Sequence, residues 1–498
     1  MQNGTIVASG SLFEGNIYVA QGKITAVTGK DVVWEARRTE DASGRCVFPG
    51  AIDVHVHLND PGYTWREDFE HGTLAAAAGG VTTVLDMPLQ NEPALTDASL
   101  FRAKHAAVRD KALVNYGFWG GLVEDVPEKM QELHDAGVVA FKIFIGPVSS
   151  DYRSLDMGAV REILQKAASL GALVGFHAED YSIIKHEETR VQREGCGASV
   201  HPPCVHFCPD SHSGRYWGFQ GGQRSPGLSE LCPPEPECLR GRRSDFLRSR
   251  PLSAELIAVE NVVELVRETG AKVHICHVSH PDVAERIRRA RLEGLPVSAE
   301  TCTHYLVYSE DDFLREGMRY KCAPPLRDRD ARERLWNYVV DGTLQCVASD
   351  HSPCAPHEKD EKDEKDEKNG VFEAWGGISG VQTTMQVFYD HAVRQRHLSP
   401  TLLSRRLSEG PARVFGLYGR KGAIEAGFDA DFVVFDPERE WEITSDSLLY
   451  LNPISAFAGL KGKGLPVATF VRGELVCRNE EGSSERTSPF GCGRLERR

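Results

Sequence analysis

The sequence lacks any run of about 18 apolar residues, the length that a membrane-spanning helix requires. Its first residues also lack the basic stretch followed by an apolar stretch that is typical of a secretory signal. No terminal S-K-L motif for peroxisomal import is present. These absences predict a protein that has no membrane partner and that is located in the cytoplasm.

A surplus of positive charge is also missing, because 58 Lys and Arg stand against 72 Asp and Glu and give a formal net charge of −14. Binding to phosphate backbones needs a surplus of cations, so nucleic acid is excluded as a partner. The 13 cysteines are an odd number and mostly sit singly in or beside apolar runs, which indicates reduced thiols. A hydrophobic fraction of 41% is enough to form a full core.

Eight short apolar runs recur along the chain, many of them separated by helical patterns. They start at Ala51, Val81, Leu113, Val138, Ala172, Lys272, Pro296 and Leu344. Runs of this length that are rich in β-branched and aromatic residues are typical of strands buried on both faces of a parallel sheet. Eight strands in βα alternation favour an α/β fold with a closed (β/α)8 barrel over residues 50–419; an open doubly wound sheet is the alternative.

The two flanks of the barrel, residues 1–49 and 420–475, contain short strands joined by Gly turns. Each is too small to fold comfortably alone, so we expect one small β-sandwich domain built from both chain ends, with a structural role. Residues 476–498 are interpreted as a C-terminal tail.

Two segments interrupt the barrel pattern. Residues 195–242 have no hydrophobic period and are rich in Cys, Pro, Gly and Arg, which predicts a disordered surface insertion or a mis-spliced segment. A zinc knuckle is a weaker interpretation, because the spacing matches no strong ligand pattern; its candidate ligands are His201, Cys204, His206, Cys208 and His212. Residues 357–370 contain the repeat EKDEKDEKDEK, which is typical of a solvated loop or a short helical arm.

Residues able to bind a metal recur where the predicted strands end. His55 and His57 are two apart on the first strand, so both imidazoles point to one face, at the end where barrel enzymes carry their chemistry. His177, His277 and Asp350 end later strands. Any one of these residues alone would more often be structural, but together they predict a metal site. Histidine nitrogens and a carboxylate suit zinc, with manganese, cobalt or iron as alternatives.

Lys142 lies inside the apolar run VVAFKIFI, where an unpaired ammonium is costly. Burial lowers the pKa of a lysine, and the neutral amine can react with carbon dioxide to give a carbamate able to bridge two metal ions. The alternative is a buried lysine paired with a carboxylate. Two metals around a bridging hydroxide, with Asp350 as general acid and base, indicate hydrolysis, most plausibly of an amide-like bond. The ligands alone do not exclude phosphoester hydrolysis.

These residues, in the order PGAIDVHVHL, FKIF, FHAED, HVSH and SDHSPC, resemble the cyclic-amide hydrolases of the amidohydrolase superfamily. The resemblance covers most of the chain apart from 195–242, the charged repeat and about the last twenty residues. It implies that His55, His57 and Asp350 bind one metal and that His177 and His277 bind a second. It further implies that carbamylated Lys142 bridges the two ions, and that the protein is a homotetramer or another homo-oligomer.

Within this group the motifs HVHLNDPG, TTVLDMPLQNEPAL, KCAPPLRD and AWGGISGVQ are similar to those of allantoinases. Dihydroorotases typically carry an arginine at the position of Asn59, so its absence counts against an acidic pyrimidine substrate. Hydantoinases typically carry a tyrosine shortly after the bridging lysine, but FKIFIGPVSS contains none, and the nearest candidate is Tyr152. One departure is the loop after DPG, where Tyr63 replaces a frequent arginine and Trp65 stands one place early. The resemblance implies a small-molecule substrate, allantoin, whose hydantoin ring is opened to allantoate.

Allantoin is neutral and rich in amide groups, so recognition is expected to rest on hydrogen bonds. By analogy the candidates are the backbone near Ala323, Trp375 and Gly376, with the side chain of Asn59. The nearest alternative is a hydantoinase or dihydropyrimidinase with the same metals. A non-catalytic scaffold related to dihydropyrimidinase is disfavoured because all six ligands are present. A further alternative is a copy disabled by the insertion, although a long loop that leaves the barrel costs little stability.

Overall fold

The computed structural model describes residues 1–123, 127–146, 152–195, 242–359, 370–480 and 483–497. In these ranges the strands form two sheets of eight strands each. Within the same ranges no helix is both long and apolar enough to cross a membrane.

The strands are numbered in chain order. They are β1 (Gly4–Val7), β2 (Leu12–Ala20), β3 (Lys23–Gly29), β4 (Cys46–Pro49), β5 (Ala51–Val56), β6 (Val81–Asp86), β7 (Asn115–Gly121), β8 (Ala140–Phe144), β9 (Leu173–His177), β10 (Lys272–Ile275), β11 (Val297–Cys302), β12 (Cys346–Ala348), β13 (Phe432–Glu442), β14 (Lys461–Val471), β15 (Glu474–Glu480) and β16 (Ser483–Arg486).

The helices follow the same convention. They are α1 (Phe69–Ala78), α2 (Ala98–Val108), α3 (Pro127–Ala136), α4 (Met157–Leu170), α5 (Tyr181–Gly195), α6 (Arg243–Ser249), α7 (Leu252–Thr269), α8 (Pro281–Leu292), α9 (Thr303–Val307), α10 (Glu310–Glu316), α11 (Arg329–Asp341), α12 (Pro356–Lys359), α13 (Thr384–Tyr389), α14 (Thr401–Leu403) and α15 (Gly410–Val414). Two π-helical segments, Asp390–Gln395 and Ser404–Glu409, continue α13 and α14, and 3-10 turns lie at Met318–Tyr320 and Ser445–Ser447.

The barrel sheet runs in the order β5 to β12, with every neighbouring pair parallel. Its two ends meet beyond β12, where Val56 forms a parallel bridge with His351 and the His57 amide donates to the His351 carbonyl at 2.8 Å. All six residues of β5 are buried, as expected for a strand covered on both faces. The predicted (β/α)8 barrel is confirmed, and the open sheet is excluded.

Helix α4 shows how the sequence encodes the outer layer. The Asp156 side chain caps its first turn by accepting from the Ala159 amide, and Gly171 ends it in the left-handed region with φ 62°. The residues that it buries repeat at helical spacing and face the barrel: Val160, Ile163, Leu164 and Ala167.

The second sheet combines both chain ends in the order β16-β15-β14-β13-β4-β1-β2-β3. Its halves join where β4 pairs in parallel with β1 and antiparallel with β13. The sheet extends to Arg486, past the boundary at 475, because β15 and the short polar β16 add to its edge. The chain then returns to the barrel, where the Tyr116 amide donates to the Arg494 carbonyl at 2.9 Å. The described residues between 476 and 497 thus pack on both sheets.

The borders of the predicted insertion 195–242 lie close together in the structure. Helices α5 and α6 pack against each other, and Arg248 forms an ion pair with Glu194. Residues 196–241, with the five candidate zinc-knuckle ligands, lie outside the described residues, and so do 360–369 of the second predicted insertion. The barrel strands on either side, β9 and β10, pair directly with each other. The described part of the barrel is therefore continuous across this border.

Removing residues 196–241 and joining the ends with a short Gly/Ser linker is expected to leave the barrel folded. Because the closure entropy of a loop changes slowly with length, the free energy of unfolding should change by about 2 kcal/mol or less. Chemical denaturation and metal content of the shortened protein check this. Loss of the folded state, or of bound metal, would show instead that the segment is needed by the barrel.

Candidate metal centre

The six predicted ligands line one cavity of about 480 Å³ at the carboxyl ends of the barrel strands. His55 lies in β5 and Lys142 in β8, whereas His177 is the last residue of β9. The other three lie one or two residues past strand ends: His57 after β5, His277 after β10 and Asp350 after β12. Parallel strands end at the same rim, so residues far apart in sequence come together here.

His55, His57 and Asp350 form a compact group. An Asp350 carboxylate oxygen lies 3.2 Å from Nε2 of His55 and 3.5 Å from Nε2 of His57. The ligand atoms of the three residues lie within 4.8 Å of one another. Two imidazole nitrogens and one carboxylate oxygen at this spacing can hold a metal ion.

His177 and His277 form a second group beside the first. Nδ1 of His177 lies 3.1 Å from Nε2 of His277, so the two nitrogens point to the same place. The rings of His55 and His277 are 5.4 Å apart, which makes the two groups neighbours. The geometry offers ligands on two sides of one cavity.

Two buried carboxylates orient these imidazoles, and the sequence analysis did not identify either of them. Glu300 lies 2.5 Å from Nδ1 of His55, which leaves Nε2 to face Asp350. Glu179 lies 2.8 Å from Nε2 of His177 and 2.5 Å from Arg250, which leaves Nδ1 of His177 to face His277. Such carboxylate partners fix the ring orientation of metal-binding histidines. Their signal in the sequence is an acidic residue in or just after an apolar run, in PVSAETCT and FHAED.

The charge states suit cation binding. Burial lowers the pKa of His55 and His177, and it lowers the pKa of His277 well below its usual value, so all three imidazoles are neutral. Burial opposes ionisation of Asp350, but the adjacent His55 and a hydrogen bond from His57 hold its pKa well below the usual range. Neutral imidazoles and an ionised carboxylate are the forms that bind metals.

The backbone is strained at the same rim. His277 and Asp350 adopt left-handed φ values of 39° and 46°. Such conformations cost a non-glycine residue a free energy of about 1–3 kcal/mol, and they cluster at functional sites.

Lys142 is fully buried, and its Nζ atom makes no hydrogen bond. Within the described ranges no carboxylate lies at ion-pair distance from it. Two other buried lysines differ, since Lys104 pairs with Asp86 and Lys421 lies 2.6 Å from Asp431. The paired alternative for Lys142 is therefore not what the structure shows. A buried amine with neither a counter-charge nor a hydrogen-bond acceptor is expected to be neutral or chemically modified.

The predicted substrate residues fall into two sets. Ala323, Trp375 and Gly376 line the cavity. Asn59 is fully buried, does not line the cavity, and donates through Nδ2 to the His57 carbonyl at 3.2 Å. Its backbone is left-handed, with φ 55°.

Arg66 shapes the cavity wall, and the sequence analysis missed it as well. Its guanidinium lies over the Trp375 ring at 4.2 Å and over the Trp65 ring at 4.8 Å. Its Nε donates to Glu358 at 3.0 Å, and the Glu358 carbonyl accepts from the Trp375 amide at 2.9 Å. The unusual loop after DPG thus supports the wall that carries Trp375.

Tyr152 bears on the hydantoinase alternative. Its hydroxyl donates to the backbone carbonyl of Lys142 at 3.0 Å, and its ring packs on Phe144. The residue is buried and does not line the cavity. In this structure it supports the strand that carries Lys142.

Comparison with known proteins agrees with this site. The profile of the amidohydrolase family matches residues 46–476. The chain belongs to the amidohydrolase family. The resemblance drawn from the sequence motifs is confirmed. The family is metal-dependent, and the group formed by His55, His57 and Asp350 is one place where this chain can hold an ion.

Relatives within the family cover nearly the whole chain. An allantoinase from Rubrobacter xylanophilus is 37% identical over 96% of this chain and 93% of its own length. An allantoinase from Escherichia coli K12 is 32% identical over 97% of this chain and 95% of its own length. Among solved structures, an L-hydantoinase (dihydropyrimidinase) from Arthrobacter aurescens superimposes with a TM-score of 0.86 at 29% identity, covering 100% of this chain and 99% of the other.

Proposed function

We propose that the protein hydrolyses a cyclic amide and that its substrate is allantoin, whose hydantoin ring it opens to give allantoate. The observation that carries the proposal is the convergence of six candidate ligands in one barrel cavity. Similarity over nearly the whole chain to two allantoinases supports the choice of substrate.

Two divalent ions, zinc first with manganese, cobalt or iron as alternatives, fit the residues of the cavity. His55, His57 and Asp350 would hold the first ion, and His177 and His277 the second. Lys142, as its carbamate, would serve both. The Nζ atom of Lys142 is buried and has no hydrogen-bond partner, which supports this role. As a carbamate, the residue would carry a negative charge paired with the metal ions, whereas an ammonium would be an isolated buried charge.

Bound ions would supply Lewis acidity, which lowers the pKa of water and polarises a carbonyl group. Asp350 takes the proton of the attacking water and delivers it to the ring nitrogen as the carbon–nitrogen bond breaks. Water thereby adds across one amide bond, giving a carboxylate and an open ureide. Glu300 and Glu179 keep the two histidine groups oriented throughout.

Backbone groups near Ala323, Trp375 and Gly376 are proposed to hydrogen-bond the neutral substrate. Asn59 is better assigned to support of His57 than to the substrate, because its amide already donates to the His57 carbonyl. Assembly as a homotetramer or another homo-oligomer, and a cytoplasmic location, stay predictions.

The second candidate is a hydantoinase or dihydropyrimidinase activity, favoured by the close superposition on the Arthrobacter aurescens L-hydantoinase. Against it, Tyr152 points to the backbone of Lys142 and lies outside the cavity wall. A non-catalytic scaffold is disfavoured by the complete ligand set.

Steady-state turnover of allantoin, unsubstituted hydantoin and dihydrouracil by protein loaded with zinc or manganese in bicarbonate tests the proposal. We expect kcat/KM for allantoin to exceed the other two by at least about tenfold, as one or two additional hydrogen bonds provide. Chelator-treated protein is the control and is expected to be inactive. Turnover of dihydrouracil or hydantoin, with no turnover of allantoin, would favour the second candidate instead.

A further inference from the structure

Lys321, in the motif KCAPPL, is a buried cation in the wall of the same cavity. Its exposed fraction is 4%, and it lies two residues before Ala323, which lines the cavity too. It directly follows the 3-10 turn Met318–Tyr320, and its side chain reaches hydrogen-bond partners in 372–374. No role is assigned to it in the reaction proposed above.

The side chain of Lys321 anchors the segment that carries Trp375 and Gly376. Its Nζ donates to the Phe372 carbonyl at 3.3 Å and to the Ala374 carbonyl. A Cβ added to Gly376 would lie 3.9 Å from Cε of Lys321, so the stem of the lysine runs beside this glycine. Lys321 therefore touches the wall at the place where the backbone is proposed to meet the substrate.

One donor of Lys321 has no acceptor within the described part of the chain. An ammonium group carries three N–H donors, and the two backbone carbonyls use two of them. The Phe246 ring, whose centre is 4.8 Å from Nζ, also lines the cavity and offers no acceptor atom of its own. No carboxylate lies at ion-pair distance from Lys321 in the described residues. A further hydrogen-bond acceptor would stabilise the buried ammonium, because an unsatisfied buried donor costs free energy.

From this geometry we infer that Lys321 is a substrate-binding residue, donating its third hydrogen to a carbonyl oxygen of a neutral, amide-rich ring substrate. The inference rests on the proposed function and adds a specific contact to it. The ligand class follows from the donor: a carbonyl oxygen accepts a hydrogen bond, and a neutral substrate needs no counter-charge. The same side chain couples substrate binding to the position of the wall at 372–376.

The electrostatic surroundings agree with this role. Burial, followed by the charges of Arg250 and Lys359, lowers the pKa of Lys321 to about 7, and Glu188 and Glu373 oppose the shift. An acceptor that enters the cavity favours the ammonium form, because a hydrogen bond to the charged form stabilises it.

Lys321→Met in the metal-loaded, full-length protein tests the inference, with allantoin as the probe. We expect KM to rise by about 10- to 100-fold, as for a lost hydrogen bond to a charged group, with kcat changed by less than about threefold. Lys359→Met is the matched control. Lys359 is equally buried, at 4% exposure, and donates to the Met318 and Arg319 carbonyls at 3.0 and 3.1 Å, but it does not line the cavity.

The Lys359 variant is expected to lose stability while KM stays within about twofold of the wild-type value. An unchanged KM in Lys321→Met, or equal changes in both variants, would overturn the inference. If Lys321→Met fails to fold, Lys321→Gln keeps two N–H donors for the carbonyls of the wall but lacks the third; a KM raised by about tenfold supports the contact and an unchanged KM removes it. Wild-type protein that does not turn over allantoin would instead defeat the proposed function, and this contact with it.

Discussion

Lys142→Ala is expected to lower kcat/KM for allantoin by about a thousandfold or more, the scale at which an essential part of a metal site fails. The substitution removes the buried amine from which the bridging carbamate would form. Without that anion, two cations would face each other across the cavity with only Asp350 as a carboxylate ligand. Steady-state kinetics together with metal analysis of the purified variant measure the loss, and we expect fewer than two ions per chain.

Two further observations separate a bridging role from a structural one. Propionate added to Lys142→Ala can enter the vacated space, and partial recovery of activity would indicate that a carboxylate replaces the carbamate. Wild-type protein equilibrated with ¹³C-bicarbonate should show a carbamate carbon signal that the variant lacks. Full activity and two metal ions in Lys142→Ala would contradict the assignment.

Lys421→Met is the control for the loss of a buried lysine outside the cavity. Lys421 is a buried lysine with three carboxylate neighbours, Asp429, Asp431 and Glu496, where the small sheet meets the barrel. Breaking this cluster is expected to cost about 3–5 kcal/mol of stability with kcat unchanged, because it leaves buried charges unpaired far from the cavity.

Asp350→Asn has the second largest expected effect, a fall in kcat of about a hundredfold to ten-thousandfold. The amide removes the proton acceptor and weakens one ligand, whereas His55, His57 and Lys142 remain to hold metal. Activity and metal content measured on the same sample separate the two contributions. A variant that keeps its metal but loses turnover supports the acid–base role, and unchanged kcat with metal bound would refute it.

Asp390→Asn is the control for Asp350→Asn, because it makes the same change in a carboxylate that does not line the cavity. Asp390 is a buried carboxylate that accepts from the Lys463 amide at 3.0 Å and from Gln395 at 2.7 Å. Its loss is expected to lower stability by about 1–3 kcal/mol without changing kcat.

The barrel could be predicted because its strands are short apolar runs in a regular order. The run from Leu113 corresponds to β7 and the run from Ala172 to β9, each shifted by one or two residues at its start. The boundary at 475 came too early, because β16 consists of polar residues that pair at an edge and show no apolar alternation. Pairing of this kind is a tertiary property that local pattern does not contain.

The candidate ligands could be picked out from the sequence because histidine, lysine and aspartate stand at or near the ends of apolar runs, and the structure places all six of them around one cavity. Their partners could not, since His55 and Glu300 are 245 residues apart and only the closed barrel brings them together. Asn59 shows the limit of inference from a motif. Its backbone is left-handed, and its side chain donates to the His57 carbonyl and does not line the cavity, which no spacing rule indicates. The roles of Lys321 and Arg66 could not be predicted either, because they depend on contacts with residues distant in sequence. Lys321 donates to the Phe372 carbonyl, and Arg66 donates to Glu358.

Hydrolysis of allantoin in H₂¹⁸O by the zinc-loaded protein, followed by mass spectrometry of the product, tests the central claim most directly. The expected product is allantoate that carries one ¹⁸O atom in its new carboxylate, because water adds across a single ring amide bond. Release of urea or ammonia with the ring intact, or unchanged allantoin in the presence of bound metal, would contradict it.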